Sequence, residues 1–558
     1  MNDTSWRTLR LTPLLAPKRA AWPAVALASG LVLGVASQAA WAAAEPQPAK
    51  PASVPAPAAL PSFDVYQYVV EGNSVLSALD IETAVAEFLG ERKTLRDVEA
   101  ARAALEKRYH DAGYLTVLVS IPDQAVDAGE VRLQVVEAVV DRLKVAGAAY
   151  TLPSGLKANV PELAEGKVPN FNKMQEQLAT LNRRPDARVT PVLRAGKLPG
   201  TVEVQLDVDD QLPLHGSLEF SNRQTPNTTA NRLSGSVRYD NLWQLGHSLG
   251  LMLQTAPQRT TDARVAALTY VLPSGRGNDV LSIYAVHSRS EFASLANAPG
   301  LGLLGNSDTL GMRYTMPLSG SAESSQTLAA GFDYKNVKQT IKVQDGSTSD
   351  SPIAYLPLVA SYSANLFGAE RSSALDVSAT LGLRGLAGNT DKKFDTKRSG
   401  ASAGYVALRT GLQHTESLQR WSLYGKLDLQ LATGPLVPTE QFVAGGAESV
   451  RGYLEGERSG DMGVRATLEL RTPQFNLGGA GSAWRLGGQV FIDGARLETL
   501  RPVAPQPGHH YLSGAGFGLR ASAPGGFSFD LDAARALLAG DTTLKHSTRV
   551  HARAIWGY

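Results

Sequence analysis

The chain has 558 residues, of which only 19% are charged; it has 53 glycines, no cysteine and a formal net charge of +2. That length exceeds one ordinary soluble domain, so several domains or one large barrel with appendages are expected. The absence of cysteine excludes disulfides, thiolate metal sites and thiol catalysis. The near-neutral balance, with no basic stripe, gives no nucleic-acid-binding face.

Residues 1–44 read as an export signal. Arg7, Arg10, Lys18 and Arg19 form a positive n-region, residues 24–35 are apolar, and Ala40-Trp41-Ala42 and Ala42-Ala43-Ala44 offer small-x-small cleavage sites. The apolar run is too short for a membrane helix. Residues 45–62 form a Pro/Ala-rich extended linker, with prolines at 46, 48, 51, 55, 57 and 61.

Residues 63–137 change character. A strand is predicted over 63–70, helices over 80–89 and 95–112, and strands over 114–121 and 130–136. In the second helix Leu95, Val98, Ala101, Leu105 and Tyr109 recur at helical spacing and predict a buried stripe. Thr94 is its N-cap and Gly113 its stop. Residues 138–210 repeat the pattern coarsely: a strand over 139–146, a helix over 172–182, and strands over 189–194 and 202–208. The stretch 151–169 between them reads as irregular.

From residue 211 to 558 no helix is predicted. Strands of about ten residues alternate with Gly, Asn, Asp and Ser turns. Along 421–431, Trp421, Leu423, Leu427, Leu429 and Leu431 oppose Ser422, Tyr424, Lys426, Asp428 and Gln430. Along 464–471, Val464, Ala466, Leu468 and Leu470 oppose Arg465, Thr467, Glu469 and Arg471. This is the pattern of a transmembrane barrel, apolar toward lipid and polar toward a lumen. Sixteen segments qualify, near 213–223, 232–242, 246–255, 263–272, 278–289, 308–318, 326–338, 353–366, 373–385, 402–413, 420–432, 462–472, 484–495, 511–522, 526–536 and 547–558. An even number is what a single-chain barrel requires. The fold class expected is mostly β: a 16-stranded antiparallel barrel preceded by two small α+β modules. The last strand ends in Trp556-Gly557-Tyr558, with terminal aromatics suited to an interfacial girdle.

Between the eleventh and twelfth segments lies Val450-Arg451-Gly452-Tyr453. An Arg between glycine and aromatic residues reads either as solvated or as aimed into the lumen. On the thirteenth segment Leu486, Gly488, Val490 and Ile492 oppose Gly487, Gln489, Phe491 and Asp493, which places Asp493 inward. There it is expected as a lone, partly desolvated carboxylate. Gly246-His247-Ser248-Leu249-Gly250 fits the serine-hydrolase pattern but runs into a strand, where that mechanism needs a helix. It reads as a barrel turn, and no catalytic residue is assigned. His509-His510 has no third ligand at useful spacing, so no metal or cofactor is expected. Asn227-Thr228-Thr229 matches a glycosylation acceptor that a bacterial context leaves idle.

Taken together, these motifs resemble the two-partner secretion transporters, the ShlB/FhaC/HecB (TpsB) family. Val69-Val70-Glu71-Gly72-Asn73, Gly113-Tyr114-Leu115, Ile121-Pro122-Asp123-Gln124 and the run Gly129 to Glu137 resemble its first polypeptide-transport-associated (POTRA) module. Leu181-Asn182-Arg183-Arg184-Pro185 and Leu198-Pro199-Gly200-Thr201 resemble the second. Val450, Arg451, Gly452 and Tyr453 fall where the family has its sixth extracellular loop, and Phe491-Ile492-Asp493-Gly494 resembles its lumen-facing acidic motif. The resemblance implies an outer-membrane transporter of a Gram-negative bacterium with periplasmic modules. These capture a secreted exoprotein of the haemolysin or adhesin class, which threads the barrel unfolded. The loop would fold inward so that Arg451 meets Asp493 beside Phe491. Outer-membrane lipids and, during biogenesis, the barrel-assembly machinery would be further partners. The family's N-terminal plug helix is not evident, so resting closure would fall mainly on the loop. The alternative is an assembly insertase of the same superfamily, which usually carries more than two modules.

Overall fold

The computed structural model describes residues 62–558 apart from 127, 276–277, 291–305, 319, 322, 339, 343–347, 351, 478–482 and 505. The expected signal and all but the last residue of the linker lie outside the described residues.

In the first module a helix, Leu95–Asp111, packs on a three-stranded sheet. The order is Gln67–Glu71, Glu130–Glu137, Val117–Ser120, the first pair parallel. Its start is fixed by a capping box in which Thr94 and Asp97 satisfy each other's end of the first turn. Val98, Ala101, Leu105 and Tyr109 are at most 2% exposed. Leu95 is not part of the stripe: it is 64% exposed, at the first position of the helix. Gly113 ends the helix with φ +97, where a Cβ would stand 2.7 Å from Asn170 Oδ1. That close approach joins the modules: Asn170 Nδ2 donates to the Ala112 carbonyl at 2.8 Å, and the Phe171 N–H donates to the Gly113 carbonyl at 2.8 Å.

The second module has the sheet order Val139–Ala146, Thr201–Asp210, Ala187–Ala195, with Phe171–Leu181 against it. The stretch read as irregular is partly helical, with Pro153–Ala158 and a 3-10 turn at Pro161–Leu163. Proline at the first helical position gives a preset φ where no N–H is needed. The stretch contributes Leu156, Val160 and Leu163 to the core.

The rest closes into an antiparallel barrel of sixteen strands. They are β1 (Leu214–Ser221), β2 (Arg232–Leu242), β3 (His247–Thr255), β4 (Ala263–Pro273), β5 (Val280–Ser290) and β6 (Ser307–Pro317). Next come β7 (Ser324–Val337), β8 (Ile353–Tyr355 continued by Leu358–Phe367), β9 (Arg371–Leu381), β10 (Val406–Leu418) and β11 (Trp421–Ala432). The last are β12 (Met462–Arg471 continued by Phe475–Asn476), β13 (Arg485–Glu498), β14 (His509–Ala523), β15 (Phe527–Ala536) and β16 (Thr548–Gly557). Alternation sorts the faces as expected. On β13 Val490 and Ile492 are 54% and 51% exposed outward, while Phe491 and Asp493 are 6% and 1% exposed inside.

The ends of β9 and β10 depart from expectation by four residues each, because the segment between them is a folded cap rather than strand. Helix Asp391–Lys397 places Phe394 between Tyr355 and Tyr405, at centroid distances of 5.4 and 6.1 Å. Leu436 and Val437 complete that cluster. The short helix has no amphipathic period long enough to be read from sequence.

The closing seam joins β16 to β1 through five residue pairs, Arg553↔Ser221 to Gly557↔Ser217. Beyond them the Gly216 N–H donates to the Tyr558 carbonyl at 3.0 Å and the Tyr558 N–H returns to Gly216 at 2.9 Å. Two backbone bonds are worth about 1–3 kcal/mol. Deletion of Tyr558 is therefore expected to lower the yield of heat-modifiable barrel several-fold on a gel, and an unchanged yield would contradict its role at the seam.

Candidate functional site

The loop over 433–461, between β11 and β12, folds into the barrel. Its stem is a small hairpin, Phe442–Ala444 with Arg458–Gly460. Glycines and Pro438 interrupt any regular pattern, so the loop follows its anchors rather than a propensity.

Those anchors lie on opposite sides of the ring. At the base, the Glu440 carboxylate meets Lys335 Nζ of β7 at 2.6 Å, the Tyr355 hydroxyl of β8 at 2.7 Å and Arg409 of β10 at 3.5 Å. Burial alone would raise the Glu440 carboxyl; Lys335 and Arg409 overrule it and hold it below the usual range. Further along, Glu448 pairs with Arg223, just after β1, and lies 3.8 Å from Arg553 of β16. In a sixteen-strand ring β8 and β16 are half a circumference apart, so the loop crosses the lumen. Asp461 and Glu457 fix its return. Asp461 meets Arg398 at 2.6 Å and accepts from the Leu436 and Leu500 N–H groups; Glu457 accepts from the Thr542 and Thr543 N–H groups.

The tip carries Val450, Arg451, Gly452 and Tyr453, all buried. Arg451 Nε and Nη2 each donate to one oxygen of Asp493 at 2.8 Å, the two-pronged geometry that the guanidinium fork favours. Its backbone N–H adds a third bond to Asp493 at 3.0 Å. Nη1 lies 2.8 Å from Glu469 on β12, and the guanidinium stacks on the Phe491 ring, 3.3 Å from its centroid. Gly452 turns with φ +96; a Cβ there would approach the Ala536 nitrogen to 3.0 Å. Its N–H donates to His551 Nε2 on β16 at 3.1 Å. The Tyr453 hydroxyl donates toward the carbonyls of Ser513 (2.9 Å) and Leu538 (2.8 Å). Val450 packs with Phe442, Ala444, Leu497, Leu512 and Ala536.

All six residues singled out from sequence, Val450, Arg451, Gly452, Tyr453, Phe491 and Asp493, meet here. Two details differ. Asp493 is neither lone nor wet: it is 1% exposed, and Glu469, 6% exposed, shares the same guanidinium. Arg471, 2.6 Å from Glu469, balances the second acid. Glu469 was legible, because β12 alternation already sets it inward beside Arg471. His551 sits on the inward face of β16 in the same way, but nothing in the sequence pairs it with a glycine N–H. Elsewhere, the turn expected at Gly246–Gly250 ends at Gly246: His247–Gly250 already belong to β3, with Ser248 paired to Val271 in the barrel. His510 faces Arg458 at 3.0 Å while His509 faces Glu498 at 4.0 Å, so the two imidazoles serve different partners.

A family model described as haemolysin secretion/activation protein ShlB/FhaC/HecB matches residues 200–521, and one for the ShlB-type POTRA domain matches residues 63–138. The chain belongs to the ShlB/FhaC/HecB family. An outer membrane transporter CdiB of Dickeya dadantii is 22% identical over 422 residues, 75% of this chain and 74% of the relative. Among solved structures, CdiB from Escherichia coli superposes with a TM-score of 0.61 at 19% identity, covering 91% of this chain and 93% of that one. BamA from Haemophilus ducreyi lacking POTRA domains 1–3 gives 0.53 at 14% identity, covering 89% and 100%. This ShlB-family chain is an outer-membrane transporter of two-partner secretion, with its POTRA modules in the periplasm and a secreted exoprotein as partner.

Removing one member of a buried ion pair leaves the other charge uncompensated, at a cost of about 3–5 kcal/mol. Arg451→Ala strands Asp493 and leaves Glu469 with Arg471 alone. The variant is expected to undock the loop and raise single-channel conductance in planar bilayers well above wild type. A wild-type conductance would show that the tip stays seated without its guanidinium.

Proposed function

We propose that the loop over 433–461 is the resting closure of this transporter, and that the clamp of Arg451 on Asp493, with Phe491 beneath it, sets where the loop rests. The observation that carries the reading is the complete burial of Arg451 between β12 and β13 at the tip of a loop that crosses the lumen. Val450 and Tyr453 seat the tip by packing, and Gly452 permits its turn.

The exoprotein is captured in the periplasm by the two modules and then passes the barrel in extended form. Open sheet edges support this. Val117–Ser120 and Gln67–Glu71 border the first sheet, Ala187–Ala195 and Val139–Ala146 the second, and each can accept an added strand. The cargo is of the haemolysin or adhesin class. Outward faces such as Leu423, Leu427 and Leu431 contact outer-membrane lipids, and the terminal strand is presented to the barrel-assembly machinery. No ATP is available in the periplasm, so folding of the exoprotein outside supplies direction.

Two experiments test the reading. Arg451→Ala and Asp493→Ala should each reduce secretion at least tenfold with barrel abundance near normal. In a double-mutant cycle the two losses should not add. Fully additive losses, or normal secretion by Arg451→Ala, would remove the clamp from the mechanism. Deletion of residues 63–208 should leave a barrel that inserts and secretes nothing, and secretion by the truncated barrel would place capture elsewhere.

A further inference from the structure

A second polar cluster lies at the opposite end of the barrel, where the second module meets β1 and β2. Asp186 immediately precedes the module strand Ala187–Ala195, His215 is on β1 and Asp240 on β2. His215 Nε2 is 2.8 Å from Asp186 Oδ1 and 3.5 Å from Asp240 Oδ2. One ligand atom from each residue falls within 4.8 Å of the other two. The three positions are 25 to 54 residues apart in sequence, so no spacing motif announces them.

Two further observations point to an occupant. Asp186 is only 6% exposed, and a carboxylate buried that far needs a counter-charge. The His215 side chain is 33% exposed, but its Nε2 is buried and makes no hydrogen bond. The carboxylate oxygen 2.8 Å away is at ion-pair distance but off the line an N–H would take. An imidazolium holding Asp186 would aim its proton at that oxygen. Two donors on one cation behave differently: bonds of about 2.0–2.1 Å, meeting between a right angle and the tetrahedral angle, leave the donor atoms about 2.9–3.4 Å apart and not collinear. The local charge agrees. Asp186, Asp210 and Asp240 face Arg184 and Arg238. Arg238 Nε donates to Asp240 Oδ2 at 3.0 Å and Asp210 caps the Ala149 and Tyr150 N–H groups. With His215 neutral, three carboxylates oppose two guanidiniums, leaving an excess of negative charge.

We propose that Asp186, His215 and Asp240 bind a divalent transition-metal ion of the zinc type. One imidazole and two carboxylates are a donor set for Zn2+ or Mn2+ rather than for a thiolate-loving metal. Three protein ligands leave a position for water. Because one ligand belongs to the module and two to the first barrel hairpin, the ion cross-links them. Its binding energy then acts on their attachment rather than on either part alone.

The test uses tag-free, full-length transporter in detergent, stripped of metal and titrated with Zn2+ against a chromophoric chelator; Co2+ absorption is the second readout. One Zn2+ per chain is expected, with affinity at least tenfold weaker in His215→Ala and in Asp186→Asn. His215→Cys, which restores a zinc ligand, should bind again and shift the Co2+ spectrum toward thiolate charge transfer. Heat-modifiability on a gel confirms that each variant is an assembled barrel, and Asp240→Asn replaces any that is not. Absence of stoichiometric Zn2+ binding, or equal binding by wild type and all assembled variants, overturns the proposal. So does a module–barrel junction whose protease resistance depends on pH but not on added Zn2+, which would make the contact a proton-held ion pair.

Discussion

A buried guanidinium tolerates very few positions. Moved by an ångström or two from Asp493 and Glu469, Arg451 would sit in the barrel without a partner, Asp493 would too, and Glu469 would keep only Arg471. Hydrophobic packing of Val450 and Tyr453 alone would let the tip slide along the wall. The fork of Arg451, bonded to Asp493 through two side-chain nitrogens and its own N–H, defines one register for it. If this loop is the resting closure, it would have a seated state and a released state with little between them.

Release of the loop would then be coupled to water. The cost of separating Arg451 from its acids is large only while the site is dry. Once the loop leaves, the lumen floods, and Asp493, Glu469 and Arg471 regain hydration. Part of the clamp's strength is thus returned by the opening it prevents. A moderate perturbation at a distant anchor can suffice, and the anchors are well placed for that. Glu440 reaches β7, β8 and β10, while Glu448 reaches Arg223 and Arg553 beside the seam. A change in ring shape would strain both ends of the loop at once.

Much of this was readable because a barrel has only two faces. Period-two alternation decides inside from outside, so Phe491 and Asp493 could be set in the lumen, and Glu469 with them, from β12 and β13 alone. The sixteen strands were found for the same reason. What alternation cannot give is which inward side chains meet across the lumen. Arg451 was joined to Asp493 through family resemblance, and the contact of Gly452 with His551 had no signal at all. Short irregular pieces were also illegible. Helix Asp391–Lys397 is too brief to show a period, and its Phe394 is buried only because Tyr355 and Tyr405 come from other segments. Leu95 erred the other way: helical spacing placed it on the stripe, but as the first residue of the helix it is exposed, and burial begins at Val98.

The same limit explains why the two polar clusters differ in legibility. The clamp draws its acids from adjacent strands, β12 and β13, whose pairing follows from order along the chain. The junction cluster draws on a module strand and a barrel hairpin, and their apposition depends on how two independently folded parts dock. Gln244 shows how specific that docking is: its side chain accepts from the Leu152 N–H at 3.1 Å and donates to the Tyr150 carbonyl at 3.0 Å. These bonds fix the second module against the turn after β2. In the proposed closure, the resting position of the loop is set at the other end, by Arg451. Capture and gating as proposed would thus rest on separate polar contacts, joined through the strands β1 and β2 that leave the junction and the seam that β1 shares with β16.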